Sequence, residues 1–281
     1  MAQPLRLQAA DGYALAAEIF PAAQPQACVV LASALGVPRR FYAAFAQGLA
    51  DQGISVLTLD WRGSGESRSG PVRGRQMRME DWGRLDLETA LSYALDRVHP
   101  EVFVVGHSAG GQLLGLAPSA SRLRGAVLVA ASAPHRRHYP ARSWPKLLLT
   151  WYGFAPLLGR LDEYPAKRLG LGSTPVAGGV VREWARWARS TDYLFSPPFG
   201  LPLVGYRSFT QPLLAWGFDD DDYATPAALE ALLQQFPPAR QEYQILQAQK
   251  HGPLGHFGLF RPQHQALWGQ LGDWIKEQLS C

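Results

Sequence analysis

Short apolar runs alternate with segments of helical spacing along this chain. Residues 27–33 (ACVVLAS), 54–60 (ISVLTLD), 102–107 (VFVVGH), 125–132 (GAVLVAAS), 213–218 (LLAWGF) and 242–246 (EYQIL) read as strands. Most are apolar along their whole length, as expected of strands covered on both faces. Between them, residues 41–52, 79–98, 226–236 and 263–279 carry apolar positions at helical spacing. Near the N-terminus, residues 5–9 and 13–20 flank Asp11-Gly12, a dipeptide suited to a hairpin turn. This order predicts an α/β fold, a mostly parallel sheet with right-handed crossovers and helices on both faces.

One interval breaks the rhythm. After the run ending at Ser132 no strand is evident until Leu213, and the residues between are rich in Trp, Tyr, Pro and Arg. We read 134–207 as a mostly helical cap inserted into a core formed by 1–133 and 208–281. Open α/β sheets bind ligands beyond the C-terminal ends of their strands, so a cap inserted there covers the site.

Gly106-His107-Ser108-Ala109-Gly110 follows a fully apolar strand and opens a helix. This G-x-S-x-G arrangement forces its serine into a strained strand-to-helix turn, and the neighbours must be small because a Cβ there would collide with the turn. The alternative is a glycine-rich turn with an incidental serine, but the strand–turn–helix context is what distinguishes the two. A serine hydroxyl needs a base, itself oriented by a carboxylate, and in this arrangement the acid precedes the histidine along the chain. Two segments supply them in that order. Asp219-Asp220-Asp221-Asp222-Tyr223-Ala224-Thr225 follows the run ending at Phe218, and His251-Gly252-Pro253-Leu254-Gly255-His256-Phe257-Gly258 follows the run ending at Leu246.

With these motifs, Ala34-Leu35-Gly36-Val37-Pro38 and Asp60-Trp61-Arg62-Gly63-Ser64-Gly65-Glu66-Ser67, the chain resembles the α/β-hydrolase superfamily. The likeness covers nearly the whole chain and points to a poorly characterised bacterial branch near the serine aminopeptidase and monoglyceride-lipase-like groups. It implies Ser108 as nucleophile and His256, rather than His251, as base. Counting three residues past Gly217 selects Asp220 as the acid, whereas matching Asp-x-Tyr-Ala-Thr selects Asp221; we favour Asp221. The first loop has Ser33-Ala34 where many members have His-Gly. Alignment puts Leu35 at the oxyanion-donor position, so its backbone N–H and that of Ala109 are the expected oxyanion hole. Asp60 and Arg62 are expected to orient loops beside the site. The implied function is hydrolysis of a carboxylic ester or thioester through an acyl-enzyme, with no cofactor. Amide cleavage or acyl transfer by the same triad, and a receptor-like binding protein with little turnover, are the alternatives.

Composition narrows this picture. In residues 180–189 (VVREWARWAR), Arg182, Arg186 and Arg189 share one helical face and Trp184 and Trp187 occupy another. That pattern suits an amphipathic helix with its tryptophans turned inward, or one whose Trp184 and Trp187 border the substrate. Residues 134–207 hold eleven Lys and Arg against four Asp and Glu, a net of +7, while the rest of the chain nets −3. Residues 62–79 add Arg62, Arg68, Arg73, Arg75 and Arg78 against Glu66. The basic residues gather over the expected pocket, which suggests a small-molecule acyl substrate with an anionic group rather than nucleic acid. His99, His135, His138 and His264 lack metal-ligand spacing. The longest apolar stretch, 147–158, is broken by Gly153 and Pro156 and is too short to span a membrane. Cys28 and Cys281 suggest no disulfide framework, and with no evident signal peptide a cytoplasmic location is expected.

Overall fold

The structure is a computed structural model that describes residues 2–68, 73–169 and 172–280. Cys281 and residues 69–72 of the arginine-rich loop lie outside the described residues. Eight strands form the main sheet: β1 (Gln3–Gln8), β2 (Ala14–Phe20), β3 (Ala27–Ala32), β4 (Ile54–Leu59), β5 (Val102–His107), β6 (Gly125–Val129), β9 (Pro212–Phe218) and β10 (Arg240–Leu246). Their spatial order is β1-β2-β4-β3-β5-β6-β9-β10. β1 and β2 form the expected antiparallel hairpin, and β2 also runs antiparallel to β4. The remaining neighbours are parallel.

The apolar runs are apolar throughout because the sheet is covered on both faces. Every residue of β3, β4, β5 and β6 is buried. Successive residues enter opposite cores: Cys28 and Val30 pack in one layer with Trp82 and Leu113, and Val29 and Leu31 in the other with Phe45 and Leu271. Helix α1 (Ala43–Ala50), a helical run α2 over residues 79–98, the short α3 (Ala109–Gln112), α6 (Pro226–Leu233) and α7 (Gln265–Leu279) supply the cover.

Three strands end earlier than their apolar runs. β3 stops at Ala32, β4 at Leu59 and β6 at Val129. At β6 the reason is local, since Ala130 takes φ 49° and leaves the extended conformation. The residues released in this way, Ser33, Asp60 and 130–132, begin the loops at the C-terminal edge of the sheet.

Between β6 and β9 lies the long insertion that the sequence analysis expects to be a cap. It contains the helical run α4 (residues 144–158) and helix α5 (Gly178–Ala188). It also contains a two-stranded hairpin that the sequence pattern did not suggest, β7 (Glu163–Tyr164) paired with β8 (Val176–Ala177). Each of these strands is two residues long, too brief to leave a periodicity. Among the described residues no helix is long and apolar enough to cross a membrane.

Candidate active site

Ser108 sits between β5 and α3 with φ 51° and ψ −115°. A non-glycine residue there stores strain of roughly 1–3 kcal/mol. Tight packing holds it. A Cβ on Gly110 would lie 2.0 Å from the carbonyl oxygen of Ala32, and one on Gly106 would lie 2.5 Å from the Cα of Gly111. Only glycine lets α3 approach the sheet closely enough to make the turn.

The aspartate run divides into distinct tasks. His256 Nδ1–H donates to Asp221 Oδ2 at 2.7 Å, and the Asp221 side chain is fully buried. Asp221 Oδ1 accepts the N–H groups of Tyr223 and Ala224. Burial alone would raise its carboxyl, but His256 and these donors outweigh that and hold it below the ordinary aspartate value. Asp220 instead accepts the N–H groups of Leu254 and Gly255, at 2.9 and 2.8 Å, so it shapes the loop that carries His256. Asp219 accepts from Ala248 N–H. His251 ends a short helix, Ala248–His251, and is not among the residues lining the cavity described next.

A cavity of about 350 Å³ lies over Ser108. Ser108, Ala109, Leu35 and His256 line it from the core, and Tyr139, Leu147, Trp151 and Trp184 from the cap. Trp187, expected beside Trp184, is not on this lining. It is buried against Tyr193, with ring centroids 5.9 Å apart. The two tryptophans are three residues apart on α5, whose faces meet the cavity and the packed interior respectively.

A second histidine, which the sequence reading did not single out, braces the site. His107 Nε2 is 2.8 Å from the backbone carbonyl oxygen of His256, which can only accept, so the proton resides on Nε2. Nδ1 then accepts from the Tyr42 hydroxyl at 2.8 Å, and the Tyr42 oxygen accepts from Ala34 N–H at 2.9 Å. A continuous chain of hydrogen bonds thus joins the loop containing Leu35 to the backbone of His256. His107 is fully buried, which together with nearby His256 pushes its pKa down to about 3. It is a neutral strut at ordinary pH.

The arginine-rich loop is organised differently from the expectation of a positive surface facing the substrate. Arg62 is buried, donating from Nε to Asp86 at 2.7 Å and from Nη1 to Asp11 at 2.7 Å. Arg78 pairs with Glu80 and Glu183, Arg68 with Glu163, and Arg75 faces Asp162 at 3.9 Å. Carboxylates from the cap therefore match the charge of this loop. Asp60, for its part, accepts from the backbone and guanidinium of Arg39 and from Glu66 N–H, fixing two loops of the sheet edge. The cap is also tied to the first loop: the Gly36 carbonyl accepts the N–H of Ser173 at 2.8 Å and both the N–H and hydroxyl of Thr174 at 3.1 Å. Among the described residues no group of three or more His, Cys, Asp or Glu could hold a metal ion.

A family model described as the alpha/beta hydrolase family matches residues 29–266. Among similar solved structures is the alpha/beta hydrolase GrgF from Penicillium sp. sh18, 17% identical, with TM-score 0.67 over 100% of both chains. The esterase EaEST from Exiguobacterium antarcticum is 16% identical, with TM-score 0.64, over 98% of this chain and 100% of its own. DcsB, solved in complex with its substrate analogue, is 14% identical, with TM-score 0.70 over 100% of both chains. No curated protein matches the chain in sequence. With a mostly parallel eight-stranded sheet and a family match over most of its length, the chain belongs to the alpha/beta hydrolase family.

Proposed function

We propose that this hydrolase cleaves a carboxylic ester or thioester through an acyl-enzyme formed on Ser108. The observation that carries the reading is the 2.7 Å bond from His256 Nδ1 to buried Asp221, with Ser108 at φ 51° on the same cavity. Asp221 holds the imidazole with its proton on Nδ1, leaving Nε2 free to take the serine proton. Ser108 Oγ attacks the carbonyl carbon, and the backbone N–H groups of Leu35 and Ala109 receive the oxyanion. His256 then protonates the departing alcohol or thiol, and water repeats the sequence to release the acid. The 134–207 segment acts as the cap, and a cavity of about 350 Å³ suits a small acyl substrate. Similar structures that carry the name esterase support the same reaction class.

The test is labelling with a fluorophosphonate followed by hydrolysis of a p-nitrophenyl ester. The wild-type protein is expected to label at Ser108 and to turn the ester over. Ser108→Ala should stay folded, fail to label and lose about 10³-fold or more in kcat. A Ser108→Ala protein that hydrolyses the ester at the wild-type rate would falsify the assignment, and a wild-type protein that neither labels nor turns over would be a binding protein.

A further inference from the structure

One row of polar residues on the cavity lining comes from the 134–207 segment. Arg142, Lys146 and Thr150 all line the cavity, and their spacing of four puts them in one row along the helical chain there. Among the described residues neither Arg142 nor Lys146 forms an ion pair. Lys146 Nζ stands 5.2 Å from the centre of the Tyr223 ring. Three other basic side chains of the cap are engaged elsewhere. Arg182 donates to the carbonyls of Gly159 and Arg75, Arg186 lies over Phe199 and Arg189 over Tyr152. Asp222 is also on the lining, which leaves two cations against one carboxylate.

A guanidinium and an ammonium are both donors with no acceptor capacity. Grouped in a cavity, they are complementary to a ligand group that only accepts. We propose that the substrate carries an anionic oxygen group, a carboxylate or a phosphate, remote from the scissile carbonyl, and that Arg142 and Lys146 bind it. This rests on the reading of the chain as an ester hydrolase. The apolar part of the substrate lies against Leu147 and Trp184, and the anion at the row formed by Arg142 and Lys146.

The experiment measures kcat/KM for three p-nitrophenyl esters of matched chain length, whose acyl chains end in methyl, carboxylate or phosphonate. In the wild-type protein at low salt at least one anionic ester is expected to exceed the methyl-ended ester by roughly 10-fold, and the better one identifies the group. Raising ionic strength to 0.5 M should shrink the advantage, because exposed charges are screened. Arg142→Gln/Lys146→Gln, checked for folding by circular dichroism, should bring the ratio close to one, whereas Arg189→Gln should leave it in place. Equal rates in the wild type, or a preference that survives the double substitution, overturn the proposal. If the wild-type protein hydrolyses none of the esters, the reaction assignment has failed. Binding of the three free acids, followed by tryptophan fluorescence, then decides the anion site: tighter binding of an anion-ended acid that Arg142→Gln/Lys146→Gln abolishes supports it, and equal binding refutes it.

Discussion

At the scale of single residues, two neighbouring aspartates separate by what they accept from. Asp221 takes the imidazole N–H, and Asp220 takes two backbone N–H groups of the adjacent loop. Asp221→Asn is expected to reduce kcat by about 10²–10⁴-fold, because an amide there stabilises the wrong tautomer. Asp220→Asn should cost less than about 10-fold and lower the melting temperature. Equal small losses in the two variants, read by ester hydrolysis, would mean that neither orients the base. His107 makes a different prediction. Its folded pKa of about 3 lies below the value near 6.5 of the unfolded chain. As pH falls from about 6.5 toward 3, the unfolded state takes up a proton that the folded state refuses, so stability drops by roughly 1.4 kcal/mol per pH unit from this group. Thermal melts between pH 7.5 and 4.5 should show a shallower acid loss for His107→Gln than for the wild type, whatever the two melting temperatures are at pH 7.5. Parallel pH profiles would remove His107 as the source.

At the scale of elements, what was readable followed from constraints confined to a few consecutive residues. The turn at Ser108 demands glycine at 106 and 110, and that demand is written in the sequence because a Cβ at Gly110 would overlap the Ala32 carbonyl. The fully buried strands were readable because both their faces are covered. Asp220 and Asp221 could not be separated by pattern alone, since one residue of register decides which of them meets a histidine 35 positions away. Trp184 and Trp187 were indistinguishable for another reason: α5 is covered on more than one side, so an apolar residue is satisfied on either. Arg142, Lys146 and Thr150 do carry a helical period, but Pro145 and Gly153 interrupt the surrounding pattern and hide it. His107 and Tyr42 left no signal, because their bond joins positions 65 residues apart.

At the scale of the whole molecule, a net charge of +4 says little about where charge acts. Much of the arginine excess between residues 62 and 79 is matched by carboxylates of the cap and core, so it fastens one body to the other. These pairs differ in worth. Glu183 is 10% exposed and binds both Arg78 and the N–H of Glu80. Glu183→Ala, which leaves those donors without an acceptor, is expected to cost about 1–3 kcal/mol. Glu163, exposed opposite Arg68, should contribute almost nothing when changed to Ala. Denaturant unfolding of the two variants tests the contrast, and equal losses would contradict it.

The Gly36 carbonyl, which accepts the N–H and hydroxyl groups of both Ser173 and Thr174, has a mechanical consequence. Gly36 directly follows Leu35, and the same loop is joined through Ala34, Tyr42 and His107 to the backbone of His256. A displacement of residues 173–174 must therefore either break the bonds to Gly36 or pull on a linkage that ends at the backbone carbonyl of His256. On the proposal that residues 134–207 act as the cap, lifting it would open the pocket and disturb the loop beside Leu35 in the same movement.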